Sequence, residues 1–166
     1  MKNNSKILII SIVIVIIIGI ISILMLNNTN YSDNYTPIDL YNATSDSFYT
    51  EGGVNILDDD IILEFVDEKP SYLIDHLVIK AKIAKNINEI GIFRVEKGRT
   101  DEMKDLVERY VSILQESYRA MDYFPEEIEK INNARVKVLG SYVIYSFLNE
   151  IDTESFYNAI ENEIRK

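Results

Sequence analysis

The chain has 166 residues, of which 47% are hydrophobic, and its 17 basic and 27 acidic side chains give a formal net charge of −10. That length accommodates one ordinary domain plus a short attached segment. The acidic balance argues against nucleic acid as a partner, because phosphates repel such a surface. The lack of cysteine excludes a disulfide framework, a thiolate nucleophile and a cysteine-based zinc site.

The first feature in chain order is a run of twenty uncharged, mostly aliphatic residues at positions 7–26. Twenty helical residues span about 30 Å, which is the thickness of the hydrocarbon core of a bilayer. The run is longer than the apolar region of a cleavable signal peptide, and no small-residue cleavage site follows it. We therefore predict a transmembrane helix over 7–26, with the lipid bilayer as the partner of this segment.

The charges that flank this run predict its orientation. Lys2 and Lys6 precede it, and the next Lys, Arg or His is Lys69. Because cationic flanks stay on the cytoplasmic side, the N-terminus is expected inside and the remaining chain outside the cell membrane, in a single-pass arrangement. The predicted organisation is a cytoplasmic stub (1–6), the transmembrane helix (7–26), a flexible tether (27–36) and an extracytoplasmic domain (37–166).

Within the domain, residues 37–46 and 61–65 are typical of short helices, and clearer patterns follow them. Alternating apolar residues predict four strands, at 76–84, 89–97, 134–139 and 142–148. Apolar residues at helical spacing predict a long helix over 101–121, a short one from Pro125 and a last one capped by Asp152 or Thr153. The main elements follow the order ββ-α-ββ-α. This order predicts an α+β two-layer domain, with a four-stranded antiparallel sheet and helices on one face.

Several short stretches carry a resemblance to a known family. They are Glu89-Ile90-Gly91-Ile92-Phe93, the amphipathic helix after it, Tyr123-Phe124-Pro125-Glu126, and Ala134-Arg135-Val136 running into Gly140-Ser141-Tyr142-Val143. Through them, residues 72–150 resemble the bacterial family of domains of unknown function numbered forty-three fifty-eight. The resemblance implies an envelope protein tethered to the membrane of a Gram-positive bacterium, and it implies no reaction. Members of the family often carry a lipid-attachment cysteine, which this chain lacks.

The sequence offers little for catalysis. His76 is the single histidine and lies near the start of a predicted strand, so a histidine metal cluster is excluded. No serine stands in a G-x-S-x-G or S-x-x-K motif, and no glycine-rich phosphate loop occurs. We therefore interpret His76 as a strand residue, and predict neither catalytic residues nor a cofactor.

An acidic segment is the one candidate for a metal site. Six carboxylates occur within the eleven residues 58–68. Oxygen ligands suit Ca²⁺, which makes Asp58, Asp60 and Glu64 calcium candidates. The acids are consecutive and no glycine interrupts them, unlike the known twelve-residue calcium loop. Consecutive Asp residues ahead of an apolar helix more often cap the helix, where they interact favourably with its dipole, and keep it soluble.

Tyrosine is abundant, with eleven residues in the chain. Tyr118, Tyr123, Phe124 and Tyr142 are candidates for an aromatic interaction surface, since amphipathic aromatic rings suit interfaces. Tyr142 and Tyr145 are expected on opposite faces of one strand, which would leave one of them outside the core. Packing in the core is the other interpretation of these rings.

Together these features predict a membrane-tethered, extracytoplasmic domain that acts as a non-catalytic binding or assembly module of the bacterial cell envelope. Its expected partners are an envelope protein or a wall polymer, and not nucleic acid. Two alternatives stay open. One is an envelope enzyme that uses carboxylate or tyrosine residues, and the other is a calcium-stabilised acidic domain.

Overall fold

A computed structural model describes residue 16 and residues 31–44, 52–57, 69–121 and 125–165. Among these residues the chain forms four helices and five strands. The helices are α1 (Pro37–Ala43), α2 (Thr100–Arg119), α3 (Pro125–Asn132) and α4 (Glu150–Ile164). The strands are β1 (Val54–Leu57), β2 (Leu73–Ala81), β3 (Glu89–Val95), β4 (Arg135–Leu139) and β5 (Tyr142–Phe147).

The five strands form one antiparallel sheet in the order β1-β2-β3-β5-β4. The predicted α+β class and antiparallel sheet are confirmed, whereas the predicted number of four strands is wrong. The additional strand is β1, an edge strand of only four residues whose side chains are exposed or half-buried. So short a segment shows no usable apolar alternation, so the pattern that identifies the other strands misses it.

Helices cover both faces of the sheet, so the domain has three layers and the two-layer prediction is corrected. The apolar residues of α2 and α3 pack with Val78, Phe93 and Tyr145 on one face. Those of α1 and α4 pack with Ile79 and Ile144 on the other. The reason lies in the central strands: all six residues of β5 are buried. A strand that is apolar on both sides needs cover on both sides.

Some predicted boundaries also shift. β2 begins and ends three residues before the predicted strand 76–84. α4 begins at Glu150, because the side chain of Asn149 caps it by accepting from the backbone N–H of Asp152 at 2.8 Å, in place of the predicted caps. The predicted helix at 61–65 lies outside the described residues, as do residues 7–26 apart from Ile16. In the described part of the chain, no helix combines the length and hydropathy needed to cross a membrane.

Residues 31–36, here called the N-terminal strap, belong to the compact unit Tyr31–Arg165 and not to a free tether. The backbone N–H of Ser32 donates to the carbonyl of Ile164 at 2.7 Å, and Tyr31 forms an isolated bridge with Arg165. The hydroxyl of Tyr142 donates to the carbonyl of Tyr35 at 2.9 Å. The strap therefore supplies a hydrogen-bond donor to a backbone carbonyl at the C-terminal end of α4. The polar composition of residues 31–36 does not reveal this long-range contact. The predicted boundary between tether and domain moves from residue 37 to residue 31.

The docking of the strap against the turn between β4 and β5 can be tested by substituting glycine in that turn. Gly140 has a φ of +60° there, and a Cβ added to it would lie 2.8 Å from the Cβ of Tyr31. Gly98, with a φ of +85°, has no described atom within 4 Å of an added Cβ. Gly98→Ala should therefore lower the free energy of unfolding by about 1 kcal/mol, from the left-handed backbone alone. Gly140→Ala should cost about 2 kcal/mol or more, because Tyr31 must also move.

Urea unfolding of the two variants measures this difference. Limited proteolysis should also cut the strap faster in Gly140→Ala than in Gly98→Ala, since only the former displaces Tyr31. Equal losses of stability with an unchanged rate of cleavage would contradict the described docking of the strap.

Candidate functional site

The most deeply buried charged side chain among the described residues is Glu89, the first residue of β3, which is 0% exposed. Its Oε1 accepts a hydrogen bond from the Tyr145 hydroxyl at 2.6 Å and another from the Tyr110 hydroxyl at 3.0 Å. The ammonium of Lys80 lies 3.4 Å from its Oε2. These residues and Tyr118, which accepts a hydrogen bond from Lys80, are called the Glu89 cluster below.

Four elements assemble the cluster. Lys80 is the register partner of Glu89 on β2, so the cation and the carboxylate stand side by side. Tyr145 comes from β5, on the other side of β3, where it pairs with Gly91. Tyr110 belongs to the buried stripe of α2, which packs over this face of the sheet. The carboxylate is thus surrounded by side chains from both neighbouring strands and from the helix above them.

Gly91 lets the ring of Tyr145 reach Glu89. A Cβ on residue 91 would overlap that ring, which lies across β3 directly above the glycine. The ring also stacks with Phe93 and meets Tyr110 edge-on, with centroids 6.1 Å and 5.7 Å apart. The glycine is therefore required by the close approach of an aromatic ring, and not by a backbone conformation.

Lys80 closes the cluster towards solvent. Its side chain is 39% exposed, and its Nζ lies 3.2 Å from the Tyr118 hydroxyl and 5.7 Å from the centre of that ring. Partial burial acts to lower the pKa of Lys80, but the charge of Glu89 and the contact with Tyr118 outweigh it, so the pKa is raised. The amine therefore remains an ammonium at neutral pH, and it balances a charge instead of acting as a nucleophile.

The protonation of Tyr145 follows from its surroundings. Complete burial, and then the neighbouring charge of Glu89, raise the pKa of Tyr145 well above its usual range. A hydroxyl that keeps its proton donates to the carboxylate and cannot serve as a base. Because Oε2 of Glu89 has no hydrogen-bond partner among the described residues, the ion pair with Lys80 is its compensation.

A second buried carboxylate, Glu127 of α3, is also used internally. Its Oε2 accepts from the backbone N–H of Ile87 at 2.8 Å, and its Oε1 accepts from Lys130 at 2.6 Å. The bond from Ile87 holds α3 to the turn between β2 and β3, whereas Lys130 lies in α3 itself. Glu127 is 7% exposed, so it offers little surface to a substrate. Both buried carboxylates thus join one element of the fold to another.

The aromatic residues proposed as an interaction surface do not form one among the described residues. Tyr118 is 6% exposed within the Glu89 cluster, and Tyr142 is 0% exposed on the opposite face of the sheet, where it binds the strap. Tyr123 and Phe124 lie outside the described residues. Tyr142 and Tyr145 do occupy opposite faces, but the expectation that one is outside is wrong, because helices cover both.

The remaining predicted site residues are the calcium candidates and His76. The calcium candidates Asp58, Asp60 and Glu64 lie outside the described residues. Within the described ranges, no group of three or more His, Cys, Asp or Glu side chains is arranged to hold a metal ion. His76 lies in β2 with its ring stacked against Phe93 at 6.2 Å, so it is a strand residue, although it is the fourth residue of β2 and not at its start as predicted.

The pattern-based reading of the sequence missed Glu89 as a site residue. A signal was present, since an acid that opens an otherwise apolar strand and is followed two residues later by glycine is unusual in a buried strand. The partners Tyr110 and Tyr145 could not be assigned in the same way. Each stands at an ordinary core position, and only the packing of α2 on the sheet brings the two hydroxyls together.

Comparison with known proteins gives one match. A family model described as a domain of unknown function (DUF4358) matches residues 57–148. The match runs from the last residue of β1 to just beyond β5 and includes every member of the Glu89 cluster. No curated protein and no solved structure matches the chain.

The contact between Gly91 and Tyr145 can be tested by substitution. Gly91→Ala should lower the free energy of unfolding by about 2–3 kcal/mol, because the new methyl group overlaps the ring and pulls its hydroxyl away from Glu89. Tyr145→Leu should be destabilising as well. Combining the two should cost less than the sum of the single losses, since leucine leaves room for the methyl group. Urea unfolding of the three variants checks this, and strictly additive losses would contradict it.

Proposed function

The chain belongs to the DUF4358 family of domains of unknown function, and we propose that it is a membrane-tethered, extracytoplasmic domain that serves as a non-catalytic binding or assembly module of the bacterial cell envelope. The proposal has two parts, which rest on different observations. The tether rests on the amino-acid sequence of residues 7–26. The non-catalytic role rests on the state of the Glu89 cluster.

The observation that carries the non-catalytic role is the burial of Glu89. A catalytic carboxylate must reach a substrate, and Glu89 is 0% exposed with both oxygens facing partners within the fold. Tyr145 is kept protonated and Lys80 is kept charged by the same contacts. The groups that would be reactive in an open cleft therefore neutralise one another in the core, and the surface is left for binding.

The acidic charge supports the choice of partner class. Residues 27–166 contain 15 basic and 27 acidic side chains, so this part of the chain repels nucleic acid and anionic lipid head groups. An envelope protein or a wall polymer that presents cationic groups is compatible with that charge. The membrane contact is assigned to residues 7–26 alone, where no charged residue occurs.

An envelope enzyme is the second candidate, because the structure does gather the residue types that it would use. Glu89, Tyr110 and Tyr145 meet within hydrogen-bond distance, and Lys80 separates them from solvent. Turnover of panels of envelope substrates by the purified full-length protein in detergent discriminates the two. Activity that is lost in a Tyr110→Phe variant of unchanged circular dichroism would favour the enzyme and contradict the module.

The tether predicts where the protein is found in cells. The full-length chain should stay in the membrane pellet after extraction with alkaline carbonate, and protease added outside spheroplasts should digest its domain. Replacing Ile16 and Ile17 by Lys should release the chain, since each charge costs about 2.5–3.5 kcal/mol at the centre of a membrane helix. The matched pair Ile16→Leu and Ile17→Leu should remain in the pellet. A full-length chain that is extracted by carbonate would contradict the tether.

A further inference from the structure

Arg94 of β3 is a cation whose surroundings the fold alone does not account for. It is only partly exposed, and its Nη1 donates to the backbone carbonyl of Tyr35 at 3.2 Å. Its Nε is buried and has no acceptor among the described residues. Removing a guanidinium from water without a carboxylate partner is costly. That cost is notable in a chain with 27 acidic and 17 basic residues, where acidic partners are plentiful.

Two acidic residues that the fold places beside Arg94 accept hydrogen bonds from other groups. Asp33 of the strap accepts a hydrogen bond from the hydroxyl of Ser141 at 2.8 Å. Asp75, the register partner of Arg94 on β2, accepts from the backbone N–H of His76 at 2.8 Å. In the described part of the chain, neither of them forms an ion pair with Arg94. Arg94 therefore stands in register with one acid and shares a pocket with the other, without an ion pair to either among the described residues.

Arg94 lines a pocket of about 240 Å³ at the end of the sheet where the strap docks. Lys97, an exposed residue just after β3, contributes a second cation, and Asp33 and Ser141 also line the pocket. Ile74 and Val95 supply apolar surface, which limits screening of the charges by water. The strap, β2, β3 and the β4–β5 turn thus converge on one small cationic pocket.

We propose that this pocket binds a carboxylate group. Arg94 and Lys97 carry two positive charges and Asp33 carries one negative charge, so a ligand with a single negative charge leaves the pocket neutral. A phosphate dianion would bring one negative charge more than the pocket can balance, and Asp33 would repel it. Arginine recognises carboxylates through the N–H donors of its guanidinium, and Arg94 is partly exposed, lines the pocket and has no carboxylate partner among the described residues. Both a small acid and the carboxyl end of a peptide chain present this group, and the chemistry of recognition is the same.

This inference rests on the binding role proposed above and deepens it by naming a ligand class. Its test uses a small probe and purified protein, so it needs neither the bilayer nor a protein partner. Failure of this test would leave the results of membrane extraction and substrate turnover unchanged, and failure of those tests would leave the pocket unaffected. The two proposals can therefore be contradicted separately.

The experiment titrates the full-length protein, held in detergent micelles, with acetyl-alanine and with its uncharged amide. The Nε–H resonance of Arg94, assigned with an Arg94→Lys variant, reports binding by NMR. Acetyl-alanine should shift this resonance saturably, with a dissociation constant in the millimolar range that suits so small a ligand. The amide should leave it in place. An equal response to acid and amide would overturn the proposal, as would stronger binding of inorganic phosphate than of the acid.

Substitutions locate the binding. Lys97→Ala should weaken the binding of acetyl-alanine by about two- to fivefold, which is the effect expected from the loss of one exposed charge. Lys82→Ala, which removes an exposed lysine outside the pocket, is the matched control and should leave affinity unchanged. Arg94→Lys should weaken binding about tenfold or more, measured by calorimetry because the reporter is lost. Unchanged affinity in both pocket variants would overturn the assignment, and Lys97→Ala alone decides it if Arg94→Lys fails to fold.

A longer probe identifies the source of the carboxylate. Acetyl-trialanine that binds at least tenfold more tightly than acetyl-alanine would support the carboxyl end of a chain as the ligand. Equal affinities would support a small acid. Both results require the free carboxylate, so tight binding of the trialanine amide would contradict the proposal.

Discussion

The rest of the fold depends most on one of its two described buried carboxylates, that of Glu89 at the start of the central strand. It is held by two tyrosine hydroxyls and one ammonium, from β5, α2 and β2. Removing any of these donors would leave a charge in the core without full compensation, which is more costly than the loss of an ordinary core contact. The neighbours of β3 and the helix above it are thus fixed by one group, and Gly91 is the opening that lets the nearest donor reach it.

The cluster also defines the register of the sheet. Side chains alternate along a strand, so a slip of one residue would turn Glu89 to the opposite face. That face is lined by apolar residues of α1 and α4, among them Leu40, Phe156 and Ile160, and none of these can compensate a charge. A buried ion pair adds little net stability compared with an apolar core, but it penalises the wrong arrangement strongly. The cluster therefore acts as a device for specificity of folding.

Sequence patterns predicted the local structure well and the long-range structure poorly. The strands now assigned as β3, β4 and β5 and the long helix α2 were found because their apolar residues repeat at the spacing of one element. The third layer was missed because Lys80 and Lys82 made β2 look half-exposed, although Val78 faces α2. The strap was taken for a tether because its partners, Ile164 and Tyr142, are more than a hundred residues away. Sequence patterns likewise give Glu89 no role beyond a family motif, since its partners come from three separate elements.

The pocket that we propose as a carboxylate site lies at the end of the sheet, where the strap, Arg94 and Lys97 meet. Glu89 and Arg94 lie on different faces of β3, because they are separated by an odd number of positions along the strand, whereas Val95, which also lines the pocket, packs on the face of Glu89. One face of the central strand thus serves to define the fold, and the end of the other leaves a cation without an acidic partner among the described residues. Glu89 is thus assigned to the stability of the fold, and Arg94 of the same strand to the proposed binding.

The central claim, that Glu89 organises the fold through its donors, is tested most directly by a double-mutant cycle between Glu89→Gln and Tyr145→Phe. Urea unfolding of the wild type, both single variants and the double variant gives the coupling energy, which should be about 1–3 kcal/mol. The control cycle pairs Glu89→Gln with Tyr157→Phe, since Tyr157 is buried on the opposite face, and it should be additive within about 0.5 kcal/mol. A coupling between Glu89 and Tyr145 no larger than that of the control would contradict the account.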